Sequence, residues 1–559
     1  MLLRAELPQP RLAVQRPVFR GSGSFAAKTR FLLTSLLLCV LTLCLHGCLR
    51  AKSTPASLVF LIESNPANLD PRFATDGQSQ HLDSLIFSSL VARDDQMNIL
   101  PDLARAWDTP DALTYVFHLR PNVRFHDGRP LTSADIKSTF EFILNPANHS
   151  PKRGGFRMIA SIATPDPATV VFHLNESYAS FLFALSRPAI GIVPHDAPSD
   201  FSRHPVGSGP FRFISQSQDD EVVLERNADY FLTQSEDRRA PGIPDNVQFA
   251  PAFTRVRFRV VPDAIVRALE LRKGSADIEI SSLNPDLIPV LARQPLLAVS
   301  ERPGSNLNYL SFNCLDPALS NPAVRQALAY ATDRAALIRF LLHGQATLAT
   351  GVIPPTNWVY EPNVPQYALD ISRAEHLLDA AGLPRRPGGV RLHLTLKTST
   401  EEQARLIGAA LQDQWRRAGI DLEVRPLEIA TLLSDAIKGN FQITLLRWVG
   451  ANNDPDFFDF AFSTRRIPPD GANRGRYHNS QIDDLTARIR AEPDRAKRKA
   501  LCSQVQKILA TDLPYLPLWF NDAVSVHRRS LGDLALSPSG DFDFLEDLGG
   551  TPARASASR

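Results

Sequence analysis

The sequence predicts a mixed α/β fold assembled from several units, and three observations carry that prediction. Short runs rich in β-branched and aromatic residues alternate with amphipathic helical patterns. In the second half a helical pattern stops at Gly419 and a strand pattern follows at once over 420–424. At roughly 150 residues per domain, the 512 residues left after a 47-residue leader (559 less 47) make about three structural units.

The elements follow in chain order. Lys28 and Arg30 introduce an apolar run over 31–45, closed by Leu45-His46-Gly47-Cys48. Such a run reads as an export signal. Its end resembles a bacterial lipobox, with Leu at −3, Gly at −1 and Cys48 as the residue that takes the lipid. A single anchor helix is the alternative, but fifteen residues rise only about 22 Å against a hydrocarbon core of roughly 30 Å. The leader is therefore placed at 1–47 and a lipidated tether at 48–56.

A strand is predicted at 58–62, with turns at Asn65-Pro66 and Asp70-Pro71. The runs at 114–119 and 169–174 read as strands of one small sheet. Between them Thr132 or Ser133 caps a helix whose Ile136, Phe140, Ile143 and Leu144 share one stripe, ended by Asn145-Pro146. Asn321 caps a second helix with Pro322 at its first position. Ser372-x-x-Glu375 and Thr400-x-x-Gln403 each read as a capping box, with Gly382 and Gly419 as terminators. Helix then strand, repeated, argues an α/β unit over about 306–521.

Charge and composition exclude several functions. The formal net charge is +2, and the leader holds six of the Lys and Arg residues and one acid, so the remainder sits near −3 (+2 less +5). No basic face for nucleic acid is implied. Hydrophobic content of 44% with 21% charged residues describes an ordinary globular chain. Beyond Cys39, Cys44 and the lipobox Cys48, the cysteines are Cys314 and Cys502, read as buried small hydrophobes. No HExxH, GxSxG, GxxxxGK[ST] or GxGxxG motif occurs, and none of the 13 histidines pairs with another at i+3 or i+4. No catalytic residue, metal site or cofactor is therefore assigned.

Several segments together resemble the peptide- and nickel-binding family of extracytoplasmic solute-binding proteins that feed ABC importers. They are Asn68-Leu-Asp-Pro71; Leu103-Ala-x-x-Trp107; the block from Tyr115 through His126-Asp127-Gly128 to Thr132; Pro205-Val-Gly-Ser-Gly-Pro-Phe211; Tyr309-Leu-Ser-Phe-Asn313; and the helix from Val324 to Arg334. Most of these motifs have a structural reading. Asp127-Gly128 is a turn with His126 as its local partner, Gly207-Ser208-Gly209 is a chain crossing, and Arg325 and Asp333 hold helices.

The resemblance implies a two-lobed binding-protein fold with an additional inserted domain. One lobe would comprise 57–92, 205–304 and 522–559, with 93–204 inserted; the other would be 305–521, and crossovers near Gly304 and Asn521 would form a hinge. It also implies a monomer tethered in the periplasm or cell envelope only by its lipid, capturing peptides for a membrane permease. The implied ligand-binding residues are Ala74, Thr75, Tyr309, Arg447, Trp448, Gly450, Ala451, Asn452 and Asp454. Trp448 would stack on the ligand, with a core tryptophan as the alternative.

Peptide-binding members resemble W-x-[GA]-D at this loop, the Asp receiving the peptide's α-ammonium; here the matching position is Ala451. Either Asp454 or Asp456 would take the amine, or the ligand presents none there. Arg447 could pair a ligand carboxylate or stand as a solvated charge. A binding protein for a metal chelate, an oligosaccharide or a blocked peptide is the alternative function. A periplasmic hydrolase and a signalling or chaperone role on the same fold are further ones.

Overall fold

The computed structural model describes residues 57–186, 190–217, 219–234, 253–450, 453–546 and 548. One mixed sheet runs through most of them. Its order is Ile420–Leu427, Leu392–Ser399, Ile443–Trp448, Leu297–Phe312, Tyr515–Arg528, Ile278–Ile280, Ser57–Ile62, Arg255–Val260, Glu221–Arg226 and Phe211–Ser217. Ala346–Leu348 pairs with Tyr515–Arg528 off this path.

The two long central strands, Leu297–Phe312 and Tyr515–Arg528, are antiparallel. Their pairing runs from Leu297 opposite Arg528 to Arg302 opposite Ala523, breaks, and resumes with Asn306 opposite Asn521. Such a bulge bends and twists a strand pair. Separate apolar cores cover the sheet to either side of it. Phe60, Phe258, Ala523 and Phe542 belong to one, and Leu310, Leu396, Trp415 and Leu518 to another. Val524 packs with Leu61, Leu271 and Val526 in a third.

A separate four-stranded antiparallel sheet has the order Ala104–Asp111, Thr114–Leu119, Thr169–Leu174 and Ile159–Asp166. The strands predicted at 114–119 and 169–174 are neighbours in it, with Phe117 opposite Val170. Helix Ser133–Leu144 packs on this sheet, and Phe140 meets Phe172 edge-on at 5.3 Å. Thr132 stands at its N-cap, where its N–H donates to the Asp135 carboxylate at 2.8 Å.

Two predicted caps move by a residue or two. Helix Ile371–Ala380 is capped by Asp370, which accepts from the Arg373 N–H at 2.9 Å, so Ser372 already lies inside it. Helix Glu402–Arg417 begins after Glu401, one residue beyond Thr400. In the first case Asp370 and Ser372 compete for one turn and the carboxylate wins, as a stronger acceptor.

The turn motifs are structural. His126 shares its ring nitrogens between the Gly209 carbonyl (3.0 Å) and the Gly207 N–H (3.3 Å), and burial lowers its pKa to about 4. Gly207 passes so close to helix Gly77–Ile86 that a Cβ there would lie 1.9 Å from the Ile86 oxygen. Arg325 donates to the carbonyls of Leu319, Asp512 and Leu513, and Asp333 caps helix Arg334–Leu341. Cys314 and Cys502 are both free thiols.

Candidate functional site

Strand Ile443–Trp448 runs antiparallel to Leu297–Phe312, with Leu307 opposite Trp448 and Asn308 opposite Arg447. Successive strand residues face opposite ways, so Arg447 is exposed while Trp448 is only 8% exposed. The Trp448 indole stacks parallel to Tyr309 at 6.0 Å and takes the edge of Phe457 at 5.3 Å. The Arg474 guanidinium lies over it at 5.0 Å. Tyr309 is fully buried against Tyr515, and burial pushes its hydroxyl up to about 12. Trp448 packs in an apolar cluster with Phe457 and Phe520. Tyr309 shares that core.

Beyond Trp448 the chain turns at Gly450, whose φ of +66° favours glycine. Ala451, Asn452 and Cys48 lie outside the described residues. Asn453 is held by its backbone, donating to the Gly450 carbonyl at 3.2 Å and accepting from Asn357 Nδ2 at 2.6 Å. The residue is 1% exposed, and among the described residues neither side-chain amide atom has a hydrogen-bond partner.

Asp454 and Asp456 are already engaged. Asp454 accepts from Ser180 Oγ and from the Asp456 N–H, with Arg498 at 3.7 Å. Asp456 accepts from the Tyr178 hydroxyl at 3.0 Å and faces Arg490 at 3.5 Å. The same segment adds backbone contacts: the Ala179 N–H donates to the Arg490 carbonyl at 2.7 Å, and Ser177 Oγ to that of Ala491 at 3.1 Å. Burial raises the Asp456 carboxyl to about 6; Arg490 opposes the rise, and Asp454 and Asp459 add to it. The chain over 176–180 is thereby laced to 454–456 and 490–498. The predicted ligand residue Asp454 makes that contact through Oδ1.

Ala74 and Thr75 precede helix Gly77–Ile86; Ala74 is buried and Thr75 exposed. Neither is brought onto Trp448 by a hydrogen bond or ring contact. Arg93 closes strand Val91–Arg93 with its guanidinium over the Phe183 ring at 4.7 Å. Tyr178, Ser180, Arg490, Arg498 and Arg93 carry no signal in the sequence. The Tyr178–Asp456 pair spans 278 residues of chain, and nothing local in either segment announces the other. No group of three or more His, Cys, Asp or Glu residues suited to a metal ion occurs among the described residues.

A family model described as bacterial extracellular solute-binding proteins, family 5 Middle, matches residues 98–467. Di/tripeptide-binding protein 1 of Pseudomonas aeruginosa is 28% identical over 521 residues, covering 88% of this chain and 94% of its own. The Helicobacter pylori periplasmic binding protein DppA, solved with the peptide STSA, aligns with a TM-score of 0.72 at 26% identity, covering 89% of this chain and 98% of its own. NikA from Brucella suis, solved with Fe(III)-EDTA, gives a TM-score of 0.78 at 22% identity, over 89% of this chain and 100% of its own. That last likeness is one of fold.

Proposed function

The chain belongs to family 5 of the bacterial extracellular solute-binding proteins, and we propose from that premise that it captures peptides between two lobes and delivers them to an ABC permease. The supporting observation is the bulged crossing of the two central strands at Arg302–Asn306, the kind of joint about which lobes close. Closure of one lobe on the other buries the solute and presents one shape to the permease. The reading is supported by relatives whose names state di- and tripeptide binding.

In this reading the lobes are 57–92 with 205–304 and 522–559, and 305–521, with 93–204 inserted. The contact of 176–180 with 454–456 then joins the inserted domain to the second lobe. Cys48 carries the lipid, the protein works as a monomer in the cell envelope, and its role is binding without turnover. Ala451, where an acid is expected, supports a second reading in which the solute has no free amine.

Calorimetric titration with di- and tripeptides, paired with small-angle scattering, tests the proposal. Saturable binding with a fall in radius of gyration is expected. Hydrolysis of the titrant, or no binding by any peptide, contradicts it.

A further inference from the structure

The register of the large sheet brings the start of the described chain to one end of several strands. Ser57–Ile62 runs parallel to Arg255–Val260, with Ser57 opposite Arg255, and parallel to Ile278–Ile280. Tyr515–Arg528 is antiparallel to Ile278–Ile280, so its Arg528 end returns to the level of Ser57. Leu297, opposite Arg528, starts its own strand there. Helix Ala264–Lys273 ends at the same level, since the Arg528 guanidinium donates to the carbonyl of Gly274, its C-cap.

Cations gather at this end. Arg272, Lys273 and Arg293 are exposed and make no ion pair among the described residues. Arg529, also exposed, donates to the carbonyls of Pro295 and Leu297 at 3.0 and 2.6 Å, bracketing Leu296, which is 78% exposed. Glu225 and Asp277 lie here too, but each is paired, with Arg255 at 2.9 Å and Arg528 at 2.7 Å. Asp533 follows in the next turn and offsets one charge. Arg272 and Lys273 complement the C-terminus of their helix. Arg528 and Arg529 close a strand, so the helix dipole does not account for them.

The opposite end of the same strands is acidic. Glu63, Asp219, Asp220 and Asp263 are exposed there. Arg257 and Arg259 are answered by Glu221 and Glu270. The chain's small net charge conceals this polarity along the strands.

The tether enters at the basic end. Only residues 49–56 separate Cys48 from the exposed Ser57, a reach of roughly 30 Å when fully extended. A lipid on Cys48 therefore holds this end of the sheet close to the bilayer surface.

We propose that the basic end, with Leu296 exposed among its cations, rests on an anionic lipid surface, while the acidic end faces away from it. Lys and Arg side chains near such a surface are attracted to it, and Leu296 supplies an apolar contact. The pose rests on the reading of Cys48 as the lipid carrier.

The test is co-sedimentation of a soluble form beginning at Leu49, which keeps every described residue, with vesicles of phosphatidylglycerol or of phosphatidylcholine. Binding to the first and not the second is expected. It should weaken with salt, as the screening length shortens from about 10 Å at 0.1 M to about 3 Å at 1 M. The triple variant Arg272→Gln, Lys273→Gln, Arg293→Gln should lose about fivefold per charge, about a hundredfold in all. A control triple, Arg405→Gln, Arg416→Gln, Arg417→Gln, removes the same charge from the exposed face of helix Glu402–Arg417 and should bind nearly as wild type. Equal binding to both vesicles, no binding to either, or equal losses in the two triples overturns the basic end as the contact. The mass of the full chain extracted from membranes tests the tether separately. A Cys48 without lipid overturns the tether and this pose, an outcome distinct from any vesicle result.

Discussion

Gly304 lies against Asn521 where the two central strands cross, so close that a Cβ on Gly304 would stand 2.0 Å from the Asn521 carbonyl oxygen. That approach falls within the bulge, and Asn521 is where pairing resumes. Gly304→Ala should push the strands apart and cost about 1–3 kcal/mol, the usual range for overpacking. Chemical denaturation checks the cost, and small-angle scattering should show a changed response to ligand. A variant as stable as wild type would mean the crossing yields freely.

Trp448→Ala should destabilise the protein by about 3–5 kcal/mol, because the indole is enclosed by Tyr309, Phe457 and Arg474. Equilibrium denaturation measures it. A stability near wild type with weakened ligand binding would return Trp448 to the cleft wall.

Asp456 gives a pH dependence of definite sign. Its carboxyl titrates at about 6 in the folded protein against 3.8 as reference, so the native state holds the proton more firmly than the unfolded chain. Unfolding then releases a proton between about pH 4 and 6, and stability falls as pH rises through that window. Above about pH 6 this contribution is flat. Asp456→Asn should remove it, and the pH profile of wild type minus variant is the readout. A difference profile that rises with pH would contradict the assignment.

Ala451→Asp restores an acid at the position where peptide-binding relatives are expected to have one. Free-amine peptides should then bind more tightly, by about thirtyfold if the new pair is buried. Calorimetry with trialanine and its N-acetyl form checks this. Unchanged affinity would place position 451 away from the ligand's amine.

What is legible in the sequence is local. The strands at 114–119 and 169–174 and the helix after Thr132 come from periodicity and capping, which neighbouring residues set. The glycines of 207–209 read as a crossing, and the Ile86 oxygen supplies the reason. Trp448 is ambiguous in sequence because a strand residue beside a loop can face a core or a cleft. Its ring contacts with Tyr309 and Phe457 appear only once the chain is folded. The engagement of Asp454 by Ser180 is illegible, since the two residues lie 274 apart and each sits in an unremarkable loop.

The most direct test of peptide capture is native mass spectrometry of a soluble form beginning at Leu49, purified gently from bacterial lysate. A series of added masses in peptide increments, lost on mild unfolding, is the predicted result. A single discrete non-peptide adduct, or a protein that stays empty when peptides are supplied, would contradict it.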